Sequence, residues 1–399
     1  MDKIYKLKGQ SQHYVWGGKN YIPTLLNIPN HTNQCYAEWW LGTHNSAPSI
    51  IESEQGELLL NEFIVQNPTA LGQKKLANTL PYLLKILDVE KPLSIQLHPT
   101  KQQAETGFIR ENAKGIPLTD SKRTYKDNNH KPEMMIALSD FWLLHGFNHK
   151  EKIIATLKKR PSLTALAEQL THQNLDQFYA HIMQAEQAQL FSWLHPIIIE
   201  NKTSYQHNQL SLNNPDYWVL YTIEAMEVPL DKLDAGLICF YLFNIVQLKK
   251  GEGIYQDAGI PHAYLRGQNI ELMSCSDNVI RGGLTPKHVD IAELLKIIDC
   301  HEINPKIIPP APKTQSVFTY VTPARDFALT NIRYKSNQKL TLETTYAEIL
   351  LIMEGEVKIY QNNTTLTLKK GEAAFICADT DYQIHGITSG YAVIAKQPE

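Results

Sequence analysis

The sequence predicts a mainly β protein with a helical insertion and an all-β domain towards its C-terminal end. Three observations carry that prediction. Short apolar or alternating runs bounded by turn residues fill residues 1–100 and return at 237–282. Between them, glycine is absent from 148 to 235. There Glu168, Gln169, Gln173, Asp176, Gln177, Gln184, Gln187 and Gln189 interleave with Leu, Phe, Ile and Ala at helical spacing. From residue 315 onward, Gly355, Asn362-Asn363, Gly371 and Gly386 separate short strand-like runs, the pattern of a sandwich or small barrel.

In chain order, Tyr14-Val15-Trp16-Gly17-Gly18 reads as a strand ending at a glycine pair. Glu38-Trp39-Trp40-Leu41-Gly42 reads as a second strand. Residues 81–87 are apolar apart from Lys85 and fit a buried helix or strand. In Leu93-Ser94-Ile95-Gln96-Leu97-His98-Pro99 the apolar residues alternate with a hydroxyl, an amide and an imidazole, and Pro99 cannot extend a ladder. Residues 101–111 are helical. Glu133 stands at the entrance of an apolar strand over 134–138, and a further strand is predicted over 237–243. Residues 293–298 read as helix. Pro305, Pro309, Pro310 and Pro312 mark a linker.

Composition narrows the function. With 399 residues, two or three domains are expected. A net charge of -3 without a basic stripe argues against nucleic acid. No apolar run is long enough to span a bilayer, and the charged start Met1-Asp2-Lys3 is no secretory leader. Five cysteines, odd in number and without a C-x-x-C pair, point to a reducing compartment. A soluble cytoplasmic protein without membrane or nucleic-acid partners is expected, and nothing requires more than a monomer.

Residues with metal chemistry recur in three stretches: Gln96-Leu97-His98, His130-Lys131-Pro132-Glu133 and Gly259-Ile260-Pro261-His262-Ala263-Tyr264. Two imidazoles, a carboxylate and an amide oxygen suit a borderline ion such as zinc with an open position. On these residues alone, Glu133 pairing Lys131 at the surface and His262 closing a turn fit as well.

A fourth block reads Ser276-Asp277-Asn278-Val279-Ile280-Arg281-Gly282-Gly283-Leu284-Thr285-Pro286-Lys287. Together with the three stretches and the segments at 14–18 and 38–44, it resembles the type I phosphomannose isomerases, zinc enzymes of the cupin superfamily. The resemblance covers most of the chain. It implies a catalytic cupin-type jelly roll over 1–149 and 236–308. The helical subdomain inserts at 150–235, and a second jelly roll without a metal follows at 315–399. It implies one zinc per chain on Gln96, His98, Glu133 and His262, and interconversion of mannose 6-phosphate and fructose 6-phosphate through an enediolate. Arg281 matches the arginine held to be catalytic. Glu271, Lys131, Asp277 and zinc-bound water are candidates for moving the carbon-bound proton, with Glu271 or Lys131 favoured. Ser94, Lys287, Tyr264 and Trp16 match positions around the sugar phosphate. The chain departs from the family at Tyr255-Gln256-Asp257-Ala258, where a Leu-Pro-Ala run is usual.

The resemblance to cupins also explains an internal echo. Leu248-Lys249-Lys250-Gly251-Glu252 recurs as Leu368-Lys369-Lys370-Gly371-Glu372, each followed by a histidine, His262 or His385. His13, His44, His130, His145, His288 and His385 read as structural or exposed.

Overall fold

Two β-structures and one helical block are stacked through shared apolar faces, in a computed structural model that describes residues 3–53, 56–72, 79–362 and 364–398. Asn363 of the Asn362-Asn363 turn lies outside the described residues. The first β-structure is a ten-stranded sheet. The long His262–Ser274 strand is its spine, pairing with Tyr82–Val89 on one side and with Glu133–Ala137 and Phe141–Phe147 on the other. The short Gln96–Leu97 and Ile280–Arg281 strands close onto its N-terminal end.

Alternation in these strands separates an apolar back from a front on which Lys85 and Glu133 share the interior with buried Leu87, Val89, Met135, Phe141 and Leu143. Behind Gln96, His262 and Arg281, Ile95, Leu97, Ala263, Leu265 and Ile280 pack with Phe178, Tyr179, Leu194 and Trp218 of the helical block. Five helices from Lys150–Lys158 to Pro215–Ala225 form that block. Asn174 and Asn214 cap two of them, and Pro215 takes the first turn, where its missing N–H costs nothing. Arg266 of the spine strand lies over the rings of Tyr217, Trp218 and Tyr221, pinning the last helix to the sheet.

On the opposite side, Trp39, Leu41, Leu84, Ile86, Met134, Ile136, Ile270 and Leu272 pack against Leu329, Ile349, Leu351, Phe375 and Val393. Those last five belong to an eight-stranded sheet that faces a four-stranded one. A second core, including Leu350, Ile352, Val357, Ile359, Leu368 and Ile384, fills the space between the two. The eight-stranded sheet is thus buried on both faces, which is why Glu348–Glu354 is an almost unbroken apolar run.

The structure differs from the sequence reading in several places, and ladder pairing in the 93–98 stretch is confined to Gln96–Leu97. Residues 237–243 are helical up to Leu242, and the strand starts at Phe243. All seven are buried, so they lack the alternation that would have distinguished strand from helix. Residues 14–18 form a turn closed by Gly17 N–H to Tyr14 C=O, rather than a strand. Finally, Ile4–Lys8 pairs with Ala373–Ile376 and Ile50–Ser53 pairs with Ile4–Lys8. Strands from the first sixty residues therefore extend the C-terminal sheet across the expected boundary, a long-range pairing with no local sequence signal.

The echoed turns superimpose in their bonding. Lys249 N–H donates to Glu252 Oε2 at 2.8 Å, and Lys369 N–H donates to Glu372 Oε2 at 2.8 Å. Gly251 and Gly371 take φ of 92° and 82°, and a Cβ on Gly371 would sit 2.1 Å from the Leu25 carbonyl oxygen.

Candidate metal centre and substrate cavity

His98, Glu133 and His262 come from three different strand segments and converge, with their ligand atoms within 4.8 Å of one another. All three are buried, at 0–1% exposure. His98 Nδ1 lies 2.8 Å from the Asn278 carbonyl oxygen, and His262 Nδ1 lies 2.9 Å from that of Ile260. Each ring therefore carries its proton on Nδ1 and turns the bare Nε2 lone pair inward. The two Nε2 atoms lie 3.3 and 3.5 Å from the Glu133 carboxylate oxygens. Among the described residues, neither Nε2 has a hydrogen-bond partner, and neither has Glu133 Oε2.

Acceptors facing acceptors at that spacing repel one another unless a cation lies between them. Ligands about 2.0–2.1 Å from a tetrahedral ion stand about 3.4 Å apart. The donor set and its spacing therefore fit zinc. Burial holds His98 neutral, with its pKa lowered to about 4, the form a metal ligand needs. Burial works against the charge on Glu133, yet the Lys131 ammonium beside it holds its carboxyl well below the usual range. Lys131 Nζ is 3.0 Å from Glu133 Oε1. Gln96 is the cross-strand partner of both His262 and Arg281, which places its amide at the rim of the cluster.

Glu133 of the cluster lines a cavity of about 780 Å³, and His98 and His262 lie outside its lining. Trp16, Ser94, Gln96, Lys131, Glu133, Tyr264, Glu271, Arg281 and Lys287 all line it. Asp277 stands outside the lining. Its carboxylate lies 3.1 Å from His44 Nε2, a contact that holds it below the ordinary carboxylate range. Arg281 is half-buried, and burial lowers its pKa. Among the described residues, no carboxylate pairs with it. A guanidinium in a cavity without an acidic partner is suited to an anion.

Sequence reading missed a second buried network on the cavity wall. Lys85 Nζ lies 3.3 Å from both Glu38 Oε2 and Glu271 Oε1, and 5.0 Å from the Trp40 ring centre. Tyr264 OH donates to Glu271 Oε2 at 2.8 Å. Burial would discharge Lys85, but Glu38 and Glu271 outweigh it and raise its pKa. Burial, then repulsion from Glu133, raises that of Glu271. The available signal was Lys85 itself, a lone charge in a strand otherwise apolar. Lys91, Met226 and Glu227 also line the cavity. The last two are carried there by the end of the helical block, which no local pattern reveals.

Comparison with known proteins gives concordant results. Residues 4–150 match the catalytic domain of phosphomannose isomerase type I, and residues 316–394 match the mannose-6-phosphate isomerase cupin domain. A mannose-6-phosphate isomerase of Salmonella typhimurium LT2 is 35% identical over 389 residues, covering 94% of this chain and 95% of that protein. A human mannose-6-phosphate isomerase is 31% identical over 414 residues, covering 94% of each. A crystal structure of the Salmonella typhimurium enzyme, bound to its substrate fructose 6-phosphate and to zinc, aligns at a TM-score of 0.87 and 31% identity over 100% of both chains.

Proposed function

The chain belongs to the type I phosphomannose isomerases, and from that premise we propose how its side chains divide the work. The reaction is the interconversion of mannose 6-phosphate and fructose 6-phosphate by a zinc-dependent isomerase. One observation carries the assignment of residues: the partnerless His98, Glu133 and His262 ligand atoms beside a cavity that holds an arginine without an acid.

Gln96, His98, Glu133 and His262 hold the zinc, which when bound supplies Lewis-acid charge at the sugar oxygens. Isomerisation moves a proton from C2 to C1 and builds negative charge on oxygen between the two transfers. Arg281 faces that charge. Support comes from its register, since pairing with Gln96 puts the two side chains on one face at the metal end. Lys287 and Ser94, elsewhere on the wall, then anchor the phosphate. Trp16 and Tyr264 shape the cavity.

Lys131 moves the carbon-bound proton in preference to Glu271. Both Glu271 oxygens are engaged, one by Lys85 and the other by Tyr264. Lys131 sits beside the metal ligands, on Glu133. Asp277, held by His44, orders the cavity edge.

Metal content tests the ligand set. His98→Ala, Glu133→Gln and His262→Ala should each bind well below one zinc per chain by elemental analysis. A variant that retains a full equivalent removes that residue from the set. The protein acts as a cytoplasmic monomer. Five free thiols support a reducing compartment, and light scattering should give the mass of one chain. Among the described residues, no helix is long and apolar enough to cross a membrane.

A further inference from the structure

A buried hydrogen bond lies beside the metal cluster and has no part in the scheme above. His145 Nδ1 and Gln256 Oε1 are 2.7 Å apart, and the two residues are 5% and 0% exposed. Each stands next to a zinc ligand. Gln256 is the cross-strand partner of Glu133, and His145 is the cross-strand partner of His262. Such partners share a face, with Cβ atoms about 5 Å apart. The Gln256 amide therefore runs alongside the Glu133 carboxylate.

Two buried atoms here lack partners, and they are complementary: Gln256 Nε2 is a donor and Glu133 Oε2 an acceptor. The bond to His145 settles which end of the amide faces which neighbour. With Oε1 accepting from His145 Nδ1–H, the NH₂ is left for the carboxylate side, where an amide oxygen would meet negative charge. A neutral amide buried without a partner destabilises a fold, so a glutamine kept at 0% exposure needs an occupation. Gln256 also falls in the Tyr255-Gln256-Asp257-Ala258 segment, where this chain departs from the family's usual apolar run.

We propose that Gln256, oriented by His145, is a positioning residue of the metal site: its Nε2 is not bonded to Glu133 in this structure, and on metal binding it donates to that carboxylate and fixes it towards the ion. This rests on the zinc reading given above. Hydrogen bonds from outside the ligand set typically change metal affinity 10–100-fold, because they remove the rotational freedom that ligation would otherwise have to quench.

Zinc release from the loaded protein to an excess of chelator tests this. Gln256→Leu, similar in volume and without the amide, should lose zinc on the order of 10–100-fold faster than the unaltered protein. His145→Asn should accelerate release by a smaller factor, since the amide stays and only its orientation is freed. Gln256→Glu keeps an oxygen for His145 and loses the donor, so it should release zinc at least as fast as Gln256→Leu. The metal-free forms should melt within a few degrees of one another, which separates positioning from a general structural role. Equal release from unaltered protein and Gln256→Leu overturns the proposal, as does slow release from Gln256→Glu. Should Gln256→Leu not fold, His145→Asn carries the test alone, and unchanged release from it is contrary. Unaltered protein that takes up no zinc overturns the underlying metal reading instead.

Discussion

The two β-structures of this chain share their turns and differ in what fills them. Both use a Lys-Lys-Gly-Glu turn in which the glutamate accepts the N–H of the first lysine, and both glycines take positive φ. Inside the C-terminal sandwich, Leu350, Ile352, Val357, Ile359, Leu368 and Ile384 close on one another. Inside the first structure, the equivalent space holds Glu38, Lys85, Glu133, Glu271 and the histidines. The comparison teaches that the scaffold is indifferent to its contents. The first structure can keep a charged interior because its strands are supported from behind, by the helical block on one side and the C-terminal sheet on the other. One region contributes chemistry and the other contributes the apolar face that supports it.

Substitutions can break that division. The largest effect on turnover should come from Arg281→Ala, which removes a fixed charge from the cavity and nothing from either core. Turnover with mannose 6-phosphate should drop about 10³-fold, while zinc content and melting temperature stay near those of the unaltered protein. A drop under tenfold removes Arg281 from the chemistry. Next comes Lys85→Met, which leaves Glu38 and Glu271 buried without their cation. Unfolding free energy should fall by about 3–5 kcal/mol in a denaturant titration, with activity lost alongside it. Neutral stability would mean that the network is not a unit.

The same comparison predicts smaller, cleanly separated effects on the other side. Ile359→Ala opens a void in the C-terminal core and should cost about 3 kcal/mol, with kcat/KM unchanged below the transition. Loss of activity in a variant that remains folded would show that the second core does more than support. Asp326 joins the two halves, lying 2.6 Å from His130 Nε2 and accepting from Ser274 Oγ at 2.7 Å. Burial opposes its charge, but those two partners hold its pKa below the ordinary value. A carboxylate depressed in the folded state stabilises above its unfolded pKa, and the gain disappears as pH falls through the folded one. Asp326→Asn should therefore cost about 1–2 kcal/mol at pH 7. The difference from the unaltered protein should disappear as pH falls below the ordinary aspartate range. A gap that persists in acid would exclude the carboxylate as its source.

Much of this was legible in the sequence, and the rest was hidden for identifiable reasons. Gln96 and His98 alternate with Ile95 and Leu97, and the structure uses both sets, one on the site and the other under the helices. The absence of glycine over 148–235 marked the helical block correctly. Residues 237–243 misled because a fully buried run has no polar face from which to read a period. Pairing of Ile4–Lys8 with Ala373–Ile376 spans nearly the whole chain and has no local signature. His145 looked ordinary because its partner, Gln256, lies over a hundred residues away. Lys85 was visible as an oddity, but its meaning depended on Glu38 and Glu271 arriving from other strands.

The central claim is that a bound ion between His98, Glu133 and His262 is what turns the polar interior into an active site. It is tested most directly by stripping the protein with a chelator, removing the chelator, and following conversion of mannose 6-phosphate to fructose 6-phosphate before and after adding one equivalent of zinc. The account predicts a folded, inactive apoprotein whose activity returns in proportion to the zinc taken up. Full turnover by protein shown to be free of metal would contradict it.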